Sequence, residues 1–261
     1  MSFFGKTKQI VWQEVNIGII KGWQCKPLLD FPNLKHLFTG KSGDLNLAKH
    51  EPTIFPEKSV EKNRQAACKA LDVNYSNLVI LPIIHSDKIL VLTSETKEIT
   101  EADAIITDLK DIPMLITAAD CVPILLYSNE KKILGLVHAG WRGTVSKIAE
   151  KAVTAMQENF MVRPSQITAV IGPAIGQKHY EVSEDVAKQL TDATETDSIL
   201  DNGGLKPRAD LKLANKIQLD NAGVRNIYVS DLDTASNTSL FYSHRMQGRR
   251  AGRQGLIACL V

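Results

Sequence analysis

Two short apolar runs constrain this chain most. Ile124-Leu125-Leu126-Tyr127 and Ile133-Leu134-Gly135-Leu136-Val137 are separated only by the polar, turn-like Ser128-Asn129-Glu130-Lys131-Lys132. Their brevity and their content of Ile, Val and Leu read as buried strands. Reactive residue types stand at their ends. Ala118-Ala119-Asp120-Cys121-Val122-Pro123 leads into the first run, and His138-Ala139-Gly140-Trp141-Arg142-Gly143 leaves the second. A soft thiolate and an imidazole, each beside a strand end and next to glycine, arginine and aspartate, point to chemistry rather than packing.

The chain has 261 residues, long enough for one large domain or two small ones. Its 31 basic and 29 acidic residues nearly cancel, leaving +2, which gives no reason to expect nucleic acid or membrane as a partner. The one basic concentration, Arg245, Arg249, Arg250 and Arg253, is small and reads as an anion or phosphate pocket. No apolar run approaches the roughly 18 residues of a membrane span. Met1-Ser2-Phe3-Phe4-Gly5-Lys6 lacks the apolar core of a signal peptide. Cys25, Cys68, Cys121 and Cys259 are scattered without a CxxC pair, as expected of reduced thiols in the cytoplasm.

Helical spacing follows Pro56-Glu57 through Val60, Arg64, Ala67 and Leu71. Leu78–Ile84 and Ile89–Leu92 read as strands, placing His85 in a tight turn between them. Ala104–Thr107, Met114–Thr117, Ile167–Ile171, Ile227–Val229 and Leu256–Val261 read as further strands. Val145, Ile148, Ala149, Ala152, Val153 and Met156 predict one helix of about four turns starting just after His138, its N-terminus suited to an anion. Val186–Leu190 and Leu211–Leu219 read as helices, and Ala193–Pro207 as a surface loop. Strands and helices do not alternate strictly, so the expected class is α+β with mixed sheets.

His85, Cys121 and His138 form the sharpest constellation. Two imidazoles and a thiolate make a three-ligand zinc set with the fourth position open for water or substrate. Two other readings stand beside it: Cys121 as a buried core thiol with satisfied histidines, and Cys121 as a nucleophile activated by His138. Asp120 would orient a ligand histidine, act as a general base, or merely cap the turn. Arg142 suits phosphate or carboxylate recognition, and Trp141 suits stacking on a planar substrate, or both are ordinary core and surface residues. Gly172-Pro173-Ala174-Ile175-Gly176 with Tyr180-Glu181-Val182, the Lys41–Leu47 element carrying Asn46, and Asn63-Arg64 are weaker signals.

Together these motifs resemble the YfiH family, known as the laccase-domain or "polyphenol oxidase" family and later as purine nucleoside phosphorylases. The resemblance spans nearly the whole chain. It rests on Leu45-Asn46-Leu47, Glu61-Lys62-Asn63-Arg64, the segment ending in His85, Ala102-Asp103-Ala104, Thr107-Asp108 and Ala119-Asp120-Cys121-Val122-Pro123. It continues through His138-Ala139-Gly140-Trp141-Arg142-Gly143, Ile171-Gly172-Pro173, Tyr180-Glu181-Val182, Asp210-Leu211, Ser243-His244-Arg245 and Gly252-Arg253.

The resemblance implies one domain over residues 1–261, a four-layer α/β/β/α sandwich, and Zn2+ rather than copper on His85, Cys121 and His138. It implies phosphorolysis of adenosine, inosine, guanosine and methylthioadenosine, with adenosine deamination beside it. Cys121, His138, Asp120 and Arg142 would then be catalytic. Asn46, Arg64, Trp141, Tyr180 and Arg245 would bind substrate, a purine nucleoside with phosphate, and no obligate protein partner is implied. Competing classes are a Cys–His amidase acting on peptidoglycan precursors, a copper phenol oxidase and a non-catalytic purine-binding protein. The chain departs from the family pattern at Pro82-Ile83, at Asp233 before Thr234, and at Met246-Gln247 after His244-Arg245.

Overall fold

The computed structural model describes residues 12–42, 45–49 and 55–261. Met1–Lys6, and Gly43 and Asp44 of the Lys41–Leu47 element, lie outside them. Two six-stranded mixed sheets stack face to face. The first runs β1 (Trp12–Ile17), β2 (Ile20–Cys25), β3 (Leu34–Thr39), β14 (Gln254–Leu260), β7 (Met114–Ala118), β4 (Val79–Ile80). The second runs β13 (Asn226–Val229), β10 (Ile167–Ile171), β8 (Val122–Ser128), β9 (Ile133–Ala139), β6 (Ala104–Thr107), β5 (Ile89–Leu92). A small hairpin pairs β11 (Leu200–Asp201) with β12 (Arg208–Ala209).

The unbroken apolar runs follow from burial on both faces. Along β8, Leu125 and Tyr127 enter the core between the sheets with Phe38, Met114, Ile116 and Leu256, while Ile124 and Leu126 face the helical layer. That layer holds α3 (Trp141–Val145), α4 (Ile148–Phe160), α5 (Glu184–Thr194) and α6 (Leu211–Asn221). On the opposite side, α2 (Glu57–Ala70) lays Ala67 and Cys68 on Leu37, Leu115 and Ile257. The order is therefore helix, sheet, sheet, helices. Single-turn α1 (Lys26–Leu29) and α7 (His244–Gln247) complete the α-helices among the described residues, none of which is long and apolar enough to cross a membrane.

Three sequence expectations need correction. The strand expected over Leu78–Ile84 is only β4; beyond Leu81, Pro82 has no amide to give a neighbouring strand and the Ile84 amide turns to Asp103. The single helix after His138 is broken, with Lys147 left-handed at φ 59° between α3 and α4. Buried α6 side chains allow the break: Gln218 Nε2 donates to the Thr144 carbonyl (2.7 Å) and Asn215 Nδ2 to its hydroxyl (3.0 Å). The long helical N-terminus expected to face an anion is therefore absent. The expected loop Ala193–Pro207 contains β11 and buries Ile199.

His36 on β3 is 1% exposed, and its Nε2 accepts from the Cys25 amide at 2.9 Å. Burial drives its pKa down from 6.5 to about 4. The unfolded chain binds a proton here below pH 6.5 that the folded chain refuses, so stability is complete above that pH and falls as pH drops toward 4. The expected loss is about 3 kcal/mol. Urea unfolding of wild type and His36→Gln at pH 7 and pH 4 checks it: the substitution should shrink the difference, and an unchanged difference would exclude His36 as its source.

Candidate metal centre

The strand pairing assembles the site. Pro123 lies opposite His138 and Val122 opposite Ala139, so Cys121, just ahead of β8, and His138, near the end of β9, share one end of an antiparallel hairpin. Ala104 pairs with Val137 on one side and Ile89 on the other, which sets Asp103 between His138 and the loop carrying His85. Cys121 also sits where the chain leaves β7 in one sheet for β8 in the other, with Asp120 at the corner in a left-handed conformation (φ 82°). The trio thus lies at the seam between the sheets.

One ligand atom from each of His85, Cys121 and His138 falls within 4.8 Å of the others. The imidazoles meet edge to face, with centroids 5.0 Å apart. His85 is exposed, Cys121 partly exposed and His138 buried. Burial pushes the Cys121 thiol up, but His138 and His85 beside it overcome that and bring it down to about 6. Burial likewise opposes charge on His138, yet the Cys121 thiolate and the Asp103 carboxylate lift it to about 9. The other cysteines are buried, and desolvation outweighs their other surroundings, raising Cys25 to about 12 and Cys68 and Cys259 to about 11. Cys121 alone has the character of a metal ligand or nucleophile.

Asp103 is the residue whose role sequence reasoning missed. Fully buried, its Oδ1 lies 2.9 Å from His138 Nδ1 and accepts from the His85 amide at 2.9 Å. Its Oδ2 accepts from the amide (2.7 Å) and hydroxyl (2.8 Å) of Ser86. Burial raises the carboxyl pKa, but the bonds from His138 and Ser86 outweigh it and the net shift is downward. These bonds support the left-handed His85 backbone (φ 59°) and leave Nε2 of His138 to face the thiol. A carboxylate behind a ligand histidine is a recurring outer partner in metal sites.

The donor set fits zinc: one soft thiolate, two imidazoles, one histidine oriented from behind. Gly140 keeps the space beside it open, since a Cβ there would lie 3.2 Å from Cys121 Sγ and 3.4 Å from His85 Cδ2. Among the described residues no second such cluster occurs.

The other sequence-selected residues divide into two groups. Around the trio, the Arg142 guanidinium stacks on Trp141 (4.3 Å to the ring centroid) and that of Arg245 on Tyr180 (5.0 Å). Arg245 also donates from Nη1 and Nη2 to the Glu181 carbonyl, both at 3.0 Å. Burial raises the Tyr180 phenol, and the charges of Cys121, Arg245, Asp120 and Arg142 all reach it. The Asp120 carboxylate is taken up by residues other than the histidines. It accepts from Thr234 Oγ1 (2.6 Å), Ser243 Oγ (3.0 Å) and the Arg245 amide (2.7 Å).

Asn46 and Arg64 belong to a buried network that contains none of the trio. Asn46 Nδ2 donates to the Ala48 carbonyl, and Arg64 Nε donates to that of Leu47. At the departures from the family pattern, Asp233 accepts from Gly176 N (2.9 Å) and faces His179 Nδ1 (2.8 Å), Ile83 packs against the inter-sheet core, and Met246 is exposed. A cavity of about 340 Å³ between α5 and the β11–β12 hairpin has none of the trio in its lining.

Two mixed sheets between helical layers, with a thiolate and two imidazoles at their seam, define a mixed α/β protein with a group of side chains that could hold a metal ion. Comparison with known proteins makes the class particular. The family described as multi-copper polyphenol oxidoreductase laccase matches residues 38–261, and the chain belongs to this laccase-domain, or YfiH, family. A purine nucleoside phosphorylase of Deinococcus radiodurans is 33% identical over 234 residues, covering 87% of this chain and 90% of the relative. Purine nucleoside phosphorylase YlmD of Bacillus subtilis is 30% identical over 210 residues, 76% of each chain. The crystal structure of YlmD from Geobacillus stearothermophilus superposes with a TM-score of 0.87 at 28% identity, covering 96% of this chain and 99% of that one. That of Bacillus licheniformis hypothetical protein YfiH gives 0.83 at 27% identity, over 92% and 96%.

Proposed function

We propose that this chain is a zinc-dependent purine nucleoside phosphorylase, acting as a single domain through the seam that its two sheets share. The observation that carries the reading is the convergence of two stacked arginine–aromatic pairs, Arg142 on Trp141 and Arg245 on Tyr180, around the His85–Cys121–His138 trio. Neither guanidinium is paired with a carboxylate among the described residues. Relatives named purine nucleoside phosphorylase support the reading, and one thiolate with two imidazoles and an open position is a ligand set that zinc accepts.

In this reading His85, Cys121 and His138 hold the ion, which when bound supplies a Lewis acid beside the substrate. Trp141 and Tyr180 flank the purine. Arg142 and Arg245 hold phosphate by charge-assisted hydrogen bonds, and Asp120 positions Arg245 through its amide. Asn46 and Arg64 act at a distance, by holding backbone. A phosphate oxygen then bonds to ribose C1′ as the bond to the purine nitrogen breaks. The bonding pair leaves with the base, which takes up a proton to balance the one lost by hydrogen phosphate. Adenosine, inosine, guanosine and methylthioadenosine are the proposed substrates, and adenosine deamination is a second proposed activity of the same centre.

The test is incubation of zinc-quantified protein with adenosine and inosine, with and without phosphate, followed by chromatography. Phosphate-dependent adenine or hypoxanthine is the expected result; inosine formed from adenosine without phosphate would report deamination. Intact nucleosides would overturn the reading. One observation favours a second: Cys121, His138 and Asp103 stand in the thiolate–imidazolium–carboxylate order of a thiol hydrolase. An acyl-enzyme trapped on Cys121 would select that alternative.

A further inference from the structure

Antiparallel pairing of Gln254 with Ala118 carries the chain just ahead of β14 alongside the segment leading to Asp120 and Cys121. The residue placed there is Arg253. Its Nη1 donates to the carbonyls of Ala251 (2.5 Å) and Gly252 (3.0 Å), and among the described residues neither its Nε nor its Nη2 meets an acceptor, nor does it pair with a carboxylate. We propose that Arg253 anchors the phosphate co-substrate through this free side of its guanidinium, and that Asn46 is the positioning residue that holds it there. The inference rests on the phosphorylase reading and adds to Arg142 and Arg245 a third, more deeply set group for its second substrate.

Two independent observations support it. The first is electrostatic: burial lowers the Arg253 pKa, opposed by the negative charges of Cys121 and Asp120, which places the guanidinium within their reach. A partly buried arginine within electrostatic reach of the site, with donors left over, has room for an anion; its planar fork suits phosphate oxygens. Arg142 and Arg245 stack on aromatic rings and are exposed, so Arg253 is the most deeply set of the three.

The second is the network around Asn46, which has no other evident purpose. Asn46 is fully buried, and its Oδ1 accepts from the Arg253 amide at 2.8 Å. The Leu47 amide donates to the Arg253 carbonyl at 2.9 Å. Both polar groups of the Arg253 backbone are thus fixed by one short segment. That segment is itself held from α2, where Asn63 Nδ2 donates to the Asn46 carbonyl (3.0 Å) and Arg64 Nε to that of Leu47 (2.7 Å). A helix on the outer face of one sheet therefore sets where a guanidinium stands at the seam. An asparagine and a second arginine buried for this purpose make sense if the Arg253 side chain must be placed accurately.

The test uses full-length, zinc-quantified wild type, Arg253→Met, Arg253→Lys and Asn46→Ala, each checked by thermal unfolding. Inorganic phosphate is titrated calorimetrically, and KM for phosphate and for inosine are measured separately. Arg253→Met should weaken phosphate binding and raise its KM at least about tenfold, with little change in the KM for inosine. Arg253→Lys, which keeps the charge but loses the fork, should fall between. Asn46→Ala should raise the phosphate KM without altering zinc content. A folded Arg253→Met protein that binds phosphate as wild type does would overturn the proposal, as would wild type that binds none. If wild type binds phosphate and Arg253→Met does not, yet neither cleaves nucleosides, the anchor stands and the phosphorylase reading fails.

Discussion

Cys121→Ala is expected to lose stoichiometric zinc and phosphate-dependent nucleoside cleavage together, while remaining folded. The thiolate is the only sulfur in the trio and the residue that both imidazoles face. Its removal leaves two histidines, one of them exposed, which is too few to hold zinc firmly. The activity loss should exceed the roughly 10–100-fold that outer partners of a metal site cost. The fold should survive because Cys121 is partly exposed and follows β7 rather than packing in the inter-sheet core. Metal analysis and product chromatography on the folded variant check both parts, and a fully active, zinc-free Cys121→Ala protein would remove zinc from the account.

Asp103→Asn should produce the second large effect, and it separates orientation from ligation because Asp103 is not one of the trio. The carboxylate receives the His85 and Ser86 amides, the Ser86 hydroxyl and the proton on His138 Nδ1. An amide side chain offers one acceptor oxygen where two are used, and sets its NH2 against donors. Zinc affinity should fall about 10–100-fold. Breaking a buried charged pair should also destabilise the protein by about 3–5 kcal/mol. Zinc titration against a competing chelator and urea unfolding measure the two. Wild-type zinc affinity in Asp103→Asn would mean that the His85 loop and the His138 ring are held by packing alone.

What the sequence made legible was what burial on both faces and residue type encode locally. Ala104–Thr107 and Ile167–Ile171 are strands with the expected bounds, and β8 and β9 present Cys121 and His138 at one end. What it hid was carried by long-range hydrogen bonds that leave no periodic trace. Asp103 reaches His138 across 35 residues, and Asn46 reaches Arg253 across 207, so the first entered the sequence reading only within the Ala102-Asp103-Ala104 motif and the second as a substrate contact. The break at Lys147 was invisible for the same reason: the apolar period runs through it, and the side chains that satisfy Thr144 come from α6. Asp120, read as a base, an orienting group or a turn cap, accepts bonds from Thr234, Ser243 and the Arg245 amide, all more than 100 residues away in sequence.

The metal centre is most directly tested by X-ray absorption at the zinc and copper edges of protein purified without added metal. The trio predicts zinc with one sulfur neighbour at about 2.3 Å and two nitrogen neighbours at about 2.0–2.1 Å. A copper edge would contradict zinc as the resident metal, and zinc with no sulfur neighbour would contradict a centre built on His85, Cys121 and His138.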